Sequence, residues 1–305
     1  MNSKIYGPIP SRRLGKSLGI SPIPNKTCNY GCVYCMLDKT TNMVNTAQMF
    51  YPVKEIVDEL KQVISQGVDY DVISIVGDGE PTLYAGLSEL IDEVRQLSSK
   101  PIALISNGAT LDQKDIYKAC LKTDIFLPSV NGYDLRTFKK INRPHKDIDF
   151  DSITQALVAF SKEYTGELYL ELMLIHQLND STEDLMRYKE FYKQFNYDNL
   201  YINTPIRVPT EDYVLPVTHN KMIEAMKLLG GVGIEDVTTN TFVSTISDNM
   251  QAILSLIARH PMNQHEIRSF LLYRKCTNID QVFETLNNDP SIHKKMYRGY
   301  ITYRT

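Results

Sequence analysis

Three of the five cysteines fall within eight residues, as Cys28-Asn29-Tyr30-Gly31-Cys32-Val33-Tyr34-Cys35. Three thiolates on one short loop can converge on one face of a metal centre. A structural zinc site normally closes with four Cys or His ligands. No fourth Cys is nearby, and the first histidine of the chain is His145. A cluster held by three thiolates instead keeps one iron without a protein ligand, open to a substrate-like ligand. A zinc site completed by a distant histidine, or three buried free thiols, are the competing readings. An odd cysteine count makes a poor disulfide framework. Cys120 and Cys276 stand apart and read as packing residues.

Other polar and glycine clusters recur along the chain: Gly77-Asp78-Gly79-Glu80-Pro81-Thr82, Ser106-Asn107-Gly108, Ser129-Val130-Asn131-Gly132, His176, and Thr204 to Arg207. The elements that must position them follow from hydrophobic periodicity. Strands are expected over 18–23, 71–76, 102–105, 124–128, 168–175 and 200–203. Helices are expected over 54–65, 87–97, 112–121, 152–164 and 183–195. Alternation of this kind means right-handed crossovers and a parallel sheet. Six units are too few for a closed eight-stranded barrel. A doubly wound sheet and an open partial barrel both satisfy the pattern. The cysteines and every other cluster fall just after the C-terminal end of a predicted strand. In a parallel barrel that end carries the chemistry, so the clusters share one face.

After Pro205 the period is lost, and residues 205–218 hold three prolines. A helix over 221–229 stops at Gly230-Gly231, a glycine cap. The tail reads as helices over 248–259, 264–272 and 279–287, then two short β-like runs around Gly299. That order spells a winged helix-turn-helix. The expected division is a barrel domain over 1–210, a linker or extension over 211–247, and a winged-helix-like domain over 248–305.

Composition narrows the class. With 43% hydrophobic and 23% charged residues in 305, the chain is an ordinary globular protein, not a disordered chain, coiled coil or collagen. No apolar run reaches the ~18 residues of a spanning helix. The N-terminal residues MNSKIYGPIPSRR carry proline and charge where a signal peptide needs an apolar core. No membrane association and a cytoplasmic location are expected. The net charge of −3 forces no bulk attraction to nucleic acid. Its distribution is uneven, however. Residues 1–45 carry six Lys and Arg against one Asp, and residues 251–305 carry eight against four acids. Both ends are suited to an anionic partner.

The cysteine motif, with Tyr34 before its last member, resembles that of the radical S-adenosylmethionine (SAM) superfamily. Gly77 to Thr82 resembles that superfamily's Gly-Gly-Glu region. PIPSRRLGKSLG (8–19), SVNGYDLRTFKKINRPH (129–145) and NTPIRVP (203–209) resemble the group related to wyosine-base synthases. The resemblance spans residues 6–210. It implies an open (β/α)6 partial TIM-like barrel, a [4Fe–4S] cluster on Cys28, Cys32 and Cys35, and SAM cleaved reductively to a 5′-deoxyadenosyl radical. It implies SAM contacts from Tyr34, Gly77, Asp78, Gly79, Glu80, Ser106, Asn107, Ser129 and Asn131. Arg12, Arg13, Arg143, His145 and Arg207 are the candidates for substrate or anion binding, and His176 for proton transfer. An electron donor such as flavodoxin or ferredoxin is the implied partner. True wyosine-base synthases carry an additional N-terminal cysteine set, and here no cysteine precedes Cys28.

The basic ends, the predicted winged helix and the interleaved Tyr273, Tyr297, Tyr300 and Tyr303 favour an RNA substrate, tRNA first, since basic groups meet phosphates and aromatics stack on bases. A peptide or protein substrate, gripped by strand addition, is the alternative. A non-enzymatic, metal-stabilised nucleic-acid-binding regulator is the alternative of another class.

Overall fold

In a computed structural model, which describes residues 3–234 and 242–305, two hydrophobic cores share one strand. The first strand, β1 (Ile5–Ser11), pairs antiparallel with β2 (Gly15–Ile20). Two short strands, β3 (Thr27–Cys28) and β4 (Asn42–Met43), bracket the cysteine loop. Then come α1 (Val53–Ser65), β5 (Val72–Ile75), α2 (Leu87–Leu97), β6 (Ile102–Ser106), α3 (Lys114–Cys120) and β7 (Ile125–Pro128). Next are α4 (Leu135–Asn142), α5 (Phe150–Glu163), β8 (Glu167–Met173), α6 (Thr182–Tyr192), β9 (Asn199–Asn203), α7 (His219–Leu229) and β10 (Val232–Gly233).

The main sheet has eight strands in the order β1-β2-β5-β6-β7-β8-β9-β10, parallel from β2 onward. Its two ends, β1 and β10, are not paired with each other, so the barrel is open. All four residues of β5 (VISI) are buried, as a parallel strand covered on both faces requires. Helix α1 buries Val53, Ile56, Val57 and Leu60, and α2 buries Leu87, Leu90, Ile91 and Val94. Both sets follow the i, i+3, i+4, i+7 stripe that faces a core. Side-chain caps fix several helix starts. Asp134 accepts from Thr137 N, Asp149 accepts from Ser152 N, and Ser181 forms a capping box with Asp184.

The sequence reading and the structure differ in three places. The first parallel strand is 15–20 rather than 18–23, and β1 precedes it. Pro8 and Pro10 hid β1, because a strand holding two prolines is tolerated only at a sheet edge, where it sits. Helix α4 was not expected, since Phe138 and Ile141 are its only large buried apolar residues. Within residues 211–233 the expected helix is present as α7, packed on α6, and an unexpected strand, β10, lies parallel beside β9. Residues 235–241, the rest of that predicted segment's middle, lie outside the described residues.

The tail contains α8 (Asn249–Ile257), β11 (Met262–Asn263), α9 (Gln264–Tyr273), α10 (Ile279–Asn288), β12 (His293–Tyr297) and β13 (Tyr300–Arg304). The three strands form an antiparallel sheet in the order β11-β13-β12. Its core, with Ile253, Leu256, Ile267, Phe270 and Leu286, also takes Ile9 of β1. Among the described residues, no helix is long and apolar enough to cross a membrane.

Candidate active site

The cysteine loop has almost no regular structure of its own, so its shape is imposed by neighbours. Thr27–Cys28 pairs with Asn42–Met43 and closes the loop's base. Residues 141–145 back it: Val33 N donates to Ile141 O (3.0 Å), Gly31 N to Asn142 O (3.0 Å) and His145 N to Asn29 O (2.8 Å). The segment after β9 holds the far side. There Glu211 N donates to Val33 O (3.1 Å), and Thr210 Oγ1 donates to Cys35 O (2.9 Å).

Each of the first two sulfurs faces N–H groups. Tyr30 N lies 3.3 Å and Asn107 Nδ2 3.8 Å from Cys28 Sγ, and Asn142 Nδ2 lies 3.3 Å from Cys32 Sγ. Donors to sulfur are what a thiolate ligand set uses to orient its members. Burial pushes the Cys32 thiol up to about 12, and the neighbouring Cys35 pushes the same way. Cys28 is raised first by burial, then by Glu80, Cys32 and Cys35. The three thiols therefore share one electrostatic neighbourhood, in which thiolates call for compensating positive charge. Among the described residues no three His, Cys, Asp or Glu side chains gather closely enough for a single metal ion. Three soft thiolates on one loop, two of them facing N–H donors, are the donor chemistry an iron–sulfur cluster takes.

The loop after β5 is built against the cysteine loop. Glu80 N donates to Thr27 O (3.0 Å), and Lys26 N donates to Asp78 O (2.6 Å). A Cβ on Gly79 would stand 1.8 Å from Thr27 O, and one on Gly77 would stand 2.5 Å from Ile23. Gly79 is required by this close approach of chain to chain, whereas Gly77 faces the end of the Ile23 side chain. The Glu80 carboxylate is 2% exposed and accepts from Thr82 N, Thr82 Oγ1, Ser106 Oγ and Asn107 N. Burial raises its pKa, and those donors pull it back. It clamps the ends of β5 and β6 together. The Asp78 carboxylate pairs with Arg259, at the end of α8 (3.1 Å), with both side chains about one-tenth exposed.

Other predicted residues divide the same way. Asn131 Nδ2 donates to Tyr34 OH (2.7 Å), and Asn131 Oδ1 accepts from Met173 N (2.7 Å), so the ends of β7 and β8 meet the cysteine loop at Tyr34. Ser129 N donates to Ser106 O at the same face. Arg13 pairs with Glu171 of β8, across the open side of the barrel. Arg143, in left-handed conformation at φ 45°, binds Glu211 (2.5 Å) and Tyr213 (3.1 Å), which helps to fix the backing segment. His145 Nδ1 accepts from Asp147 N (3.3 Å), and His176 Nδ1 lies 3.2 Å from Asp180. Arg207 makes a bidentate pair with Glu266 (2.5 and 2.7 Å), and Arg12 lines the same cleft.

Sequence reasoning missed Asn29, Asn142, Glu171 and Arg259. Asn142 opens the Asn-Arg-Pro-His stretch, and that stretch was the only signal. The other three are recognisable only by partners far away in the chain.

Comparison with known proteins agrees with this geometry. The profile of the Radical SAM superfamily matches residues 23–188. The chain is 34% identical to the UPF0026 protein of Methanocaldococcus jannaschii, over 98% of this chain and 94% of that one. Among solved structures it resembles TYW1 with a lysine-pyruvate adduct bound, with a TM-score of 0.55 and 20% identity over 71% of this chain and 74% of that one. It also resembles Streptococcus suis SuiB bound to S-adenosylmethionine, with a TM-score of 0.51 and 17% identity over 70% and 45%.

Proposed function

The chain belongs to the radical SAM superfamily, and from that premise we propose an enzyme that holds a [4Fe–4S] cluster on Cys28, Cys32 and Cys35 and abstracts hydrogen from a base of RNA. Membership sets aside the non-enzymatic regulator. When bound, the cluster supplies the electron that cleaves SAM to a 5′-deoxyadenosyl radical.

The chain's own residues do the rest. Asn142, Asn107 and the Tyr30 amide orient the sulfurs. Glu80 locks the loop after β5 to the end of β6, so the backbone of residues 77–80 forms a fixed wall beside Cys28. Ser129, Asn131 and Tyr34 form the opposite wall and meet SAM there. The open side, crossed by Arg13 and Glu171, admits the substrate. A flavodoxin or ferredoxin supplies the electron, in the cytoplasm.

The observation that carries this reading is a loop of three thiols, two of them facing N–H donors, at the C-terminal end of a parallel barrel. RNA as substrate is supported by the basic chain ends, by the resemblance to wyosine-base synthases, and by the exposed Tyr273 and Tyr300 on a tail that we read as a winged helix.

Anaerobic reconstitution with iron and sulfide is expected to give a brown protein with about four irons per chain. Reduction with SAM present is expected to release 5′-deoxyadenosine, and the triple Cys→Ala variant is expected to lose both. A colourless protein overturns the cluster. Absence of salt-sensitive binding to bulk tRNA overturns the substrate.

A further inference from the structure

The ion pairs between tail and barrel land on the segments that shape the cysteine loop. Asp38 stands three residues after Cys35 and pairs with Arg304 (3.3 Å). Arg207 and Asp212 flank Thr210 and Glu211, which hold Cys35 O and Val33 O, and they pair with Glu266 and Lys295. These three pairs are partly exposed, where an ion pair is worth little. The remaining one is buried. Arg259 Nε, just past α8, donates to the Asp78 carboxylate (3.1 Å) in the loop after β5.

Arg259 is fixed from its own side before it meets Asp78. Its guanidinium lies 4.9 Å from the centre of the Tyr6 ring and donates to Ser3 O. The Tyr6 ring in turn lies against Gly19 of β2, where a Cβ would collide with it, and its hydroxyl donates to Val76 O (3.4 Å). Asp78 is the other half of the joint. Its N donates to Ser21 Oγ (3.0 Å), and its O accepts from Lys26 N (2.6 Å), so its backbone is tied to the chain that leads into Cys28. It carries the only side chain between Gly77 and Gly79. A Gly-Asp-Gly run has more backbone freedom than an ordinary loop and does not order itself. The side chain that anchors its middle is held by the tail.

We propose that Arg259 is a positioning residue for SAM: by holding Asp78 it keeps the backbone of residues 77–80 in the shape that receives SAM, so the SAM site is complete only with the tail docked. The proposal rests on the reading of residues 77–80 as a wall of the SAM site and adds what holds that wall. Arginine suits the task because its planar group can stack on a ring and donate along its edge at once. SAM affinity and tail docking are then coupled, and coupling between two sites is reciprocal. SAM bound at the loop must tighten the tail.

The test uses the full chain, reconstituted anaerobically, with SAM affinity from equilibrium dialysis and backbone amide exchange from mass spectrometry. R259Q is expected to weaken SAM binding about 5- to 150-fold, the ordinary span of coupling between sites, with iron per chain near wild type. Without SAM, the segment holding the Asp78 and Glu80 amides should exchange faster in R259Q than in wild type. SAM should slow exchange in α8 of the wild type and leave α8 of R259Q unchanged. D78N/R259Q should bind SAM no more weakly than D78N, because a residue that acts through another adds nothing once that partner is gone. K295A, at an exposed pair of the same tail, should keep wild-type affinity. Unchanged SAM affinity in folded R259Q overturns the proposal while the SAM site stands. Additive losses in the double variant make Arg259 a direct SAM ligand and overturn the positioning role. A wild type that binds no SAM overturns both the site and its anchor. Where R259Q fails to fold, the wild type alone decides: exchange in α8 that SAM does not slow overturns the proposal.

Discussion

Two of the three sulfurs, those of Cys28 and Cys32, take a direction from the N–H groups turned toward them. Asn142 is the clearest case, 1% exposed, with its amide nitrogen 3.3 Å from Cys32 Sγ and its Oδ1 buried without a partner among the described residues. It is a positioning residue, acting through the sulfur. Asn142→Ala is expected to lower cluster retention or 5′-deoxyadenosine yield by about 10- to 100-fold, the usual penalty for losing such a partner. Asn142→Asp should be worse than Ala, because a carboxylate repels the thiolate where the amide donated. A packing role alone predicts the reverse order, since Asp nearly preserves the shape. Iron per chain after reconstitution reads the difference directly. The cysteines themselves were legible because their signal is local, three sulfurs in eight residues. Asn142 was not, because it stands 110 residues from its sulfur and only the fold joins them. The Glu80 clamp was not legible either, because it depends on donors from the end of β6.

At the level of elements, most helices and central strands were readable to within about three residues, because their apolar stripes are continuous, while α4, with little apolar stripe, was not. Helix Leu87–Leu97 has the predicted bounds, and β5 differs by one residue at each end. What escaped was set by pairing rather than by pattern. Edge strand β1 is interrupted by prolines, and β10 is two residues long and exists only against β9. The glycines show the same distinction. Gly31 lies inside the cysteine motif, yet a Cβ there would meet only Met43 Cε, at 3.4 Å, and the Arg143 backbone at 3.7 Å, ordinary contacts. Gly79 lies outside the motif, yet its Cβ would collide with Thr27 O, a backbone atom pinned by β4. Gly79→Ala is therefore expected to destabilise the fold by about 1–3 kcal/mol and to displace Cys28 enough to reduce iron uptake. Gly31→Ala should retain both stability and iron. Equal tolerance of the two substitutions would show that the loops do not brace each other.

On the scale of the whole molecule, the tail and the barrel are held as one body. Ile9 of β1 belongs to the tail's core, and among the described residues four ion pairs cross between the units: Asp78–Arg259, Arg207–Glu266, Asp212–Lys295 and Asp38–Arg304. Three of the exchanged pairs are surface contacts of modest worth or are partly exposed. Asp78–Arg259 is different, because both partners are buried and the guanidinium also stacks 4.9 Å over the Tyr6 ring and donates to Ser3 O. Removing one member of a buried pair leaves a charge without compensation and costs about 3–5 kcal/mol. Arg259→Ala should show that loss near neutral pH in a denaturant titration. The sign of its pH dependence follows from the groups present. Burial raises the Asp78 pKa, while Arg259 and the Ser21 hydroxyl lower it. Without Arg259 the folded pKa rises further above its unfolded value of about 3.9. A carboxyl raised in this way contributes stability that is full below the unfolded pKa and is lost as pH rises through the folded one. The deficit of the variant should therefore shrink on acidification, since a protonated Asp78 needs no counter-charge. The double variant Arg259→Ala/Asp78→Asn should recover part of the loss at neutral pH and show no such dependence. A deficit constant from neutral pH down through the carboxylate range would mean that the guanidinium acts by packing on Tyr6, and that charge does not join the tail to the loop beside the cysteines.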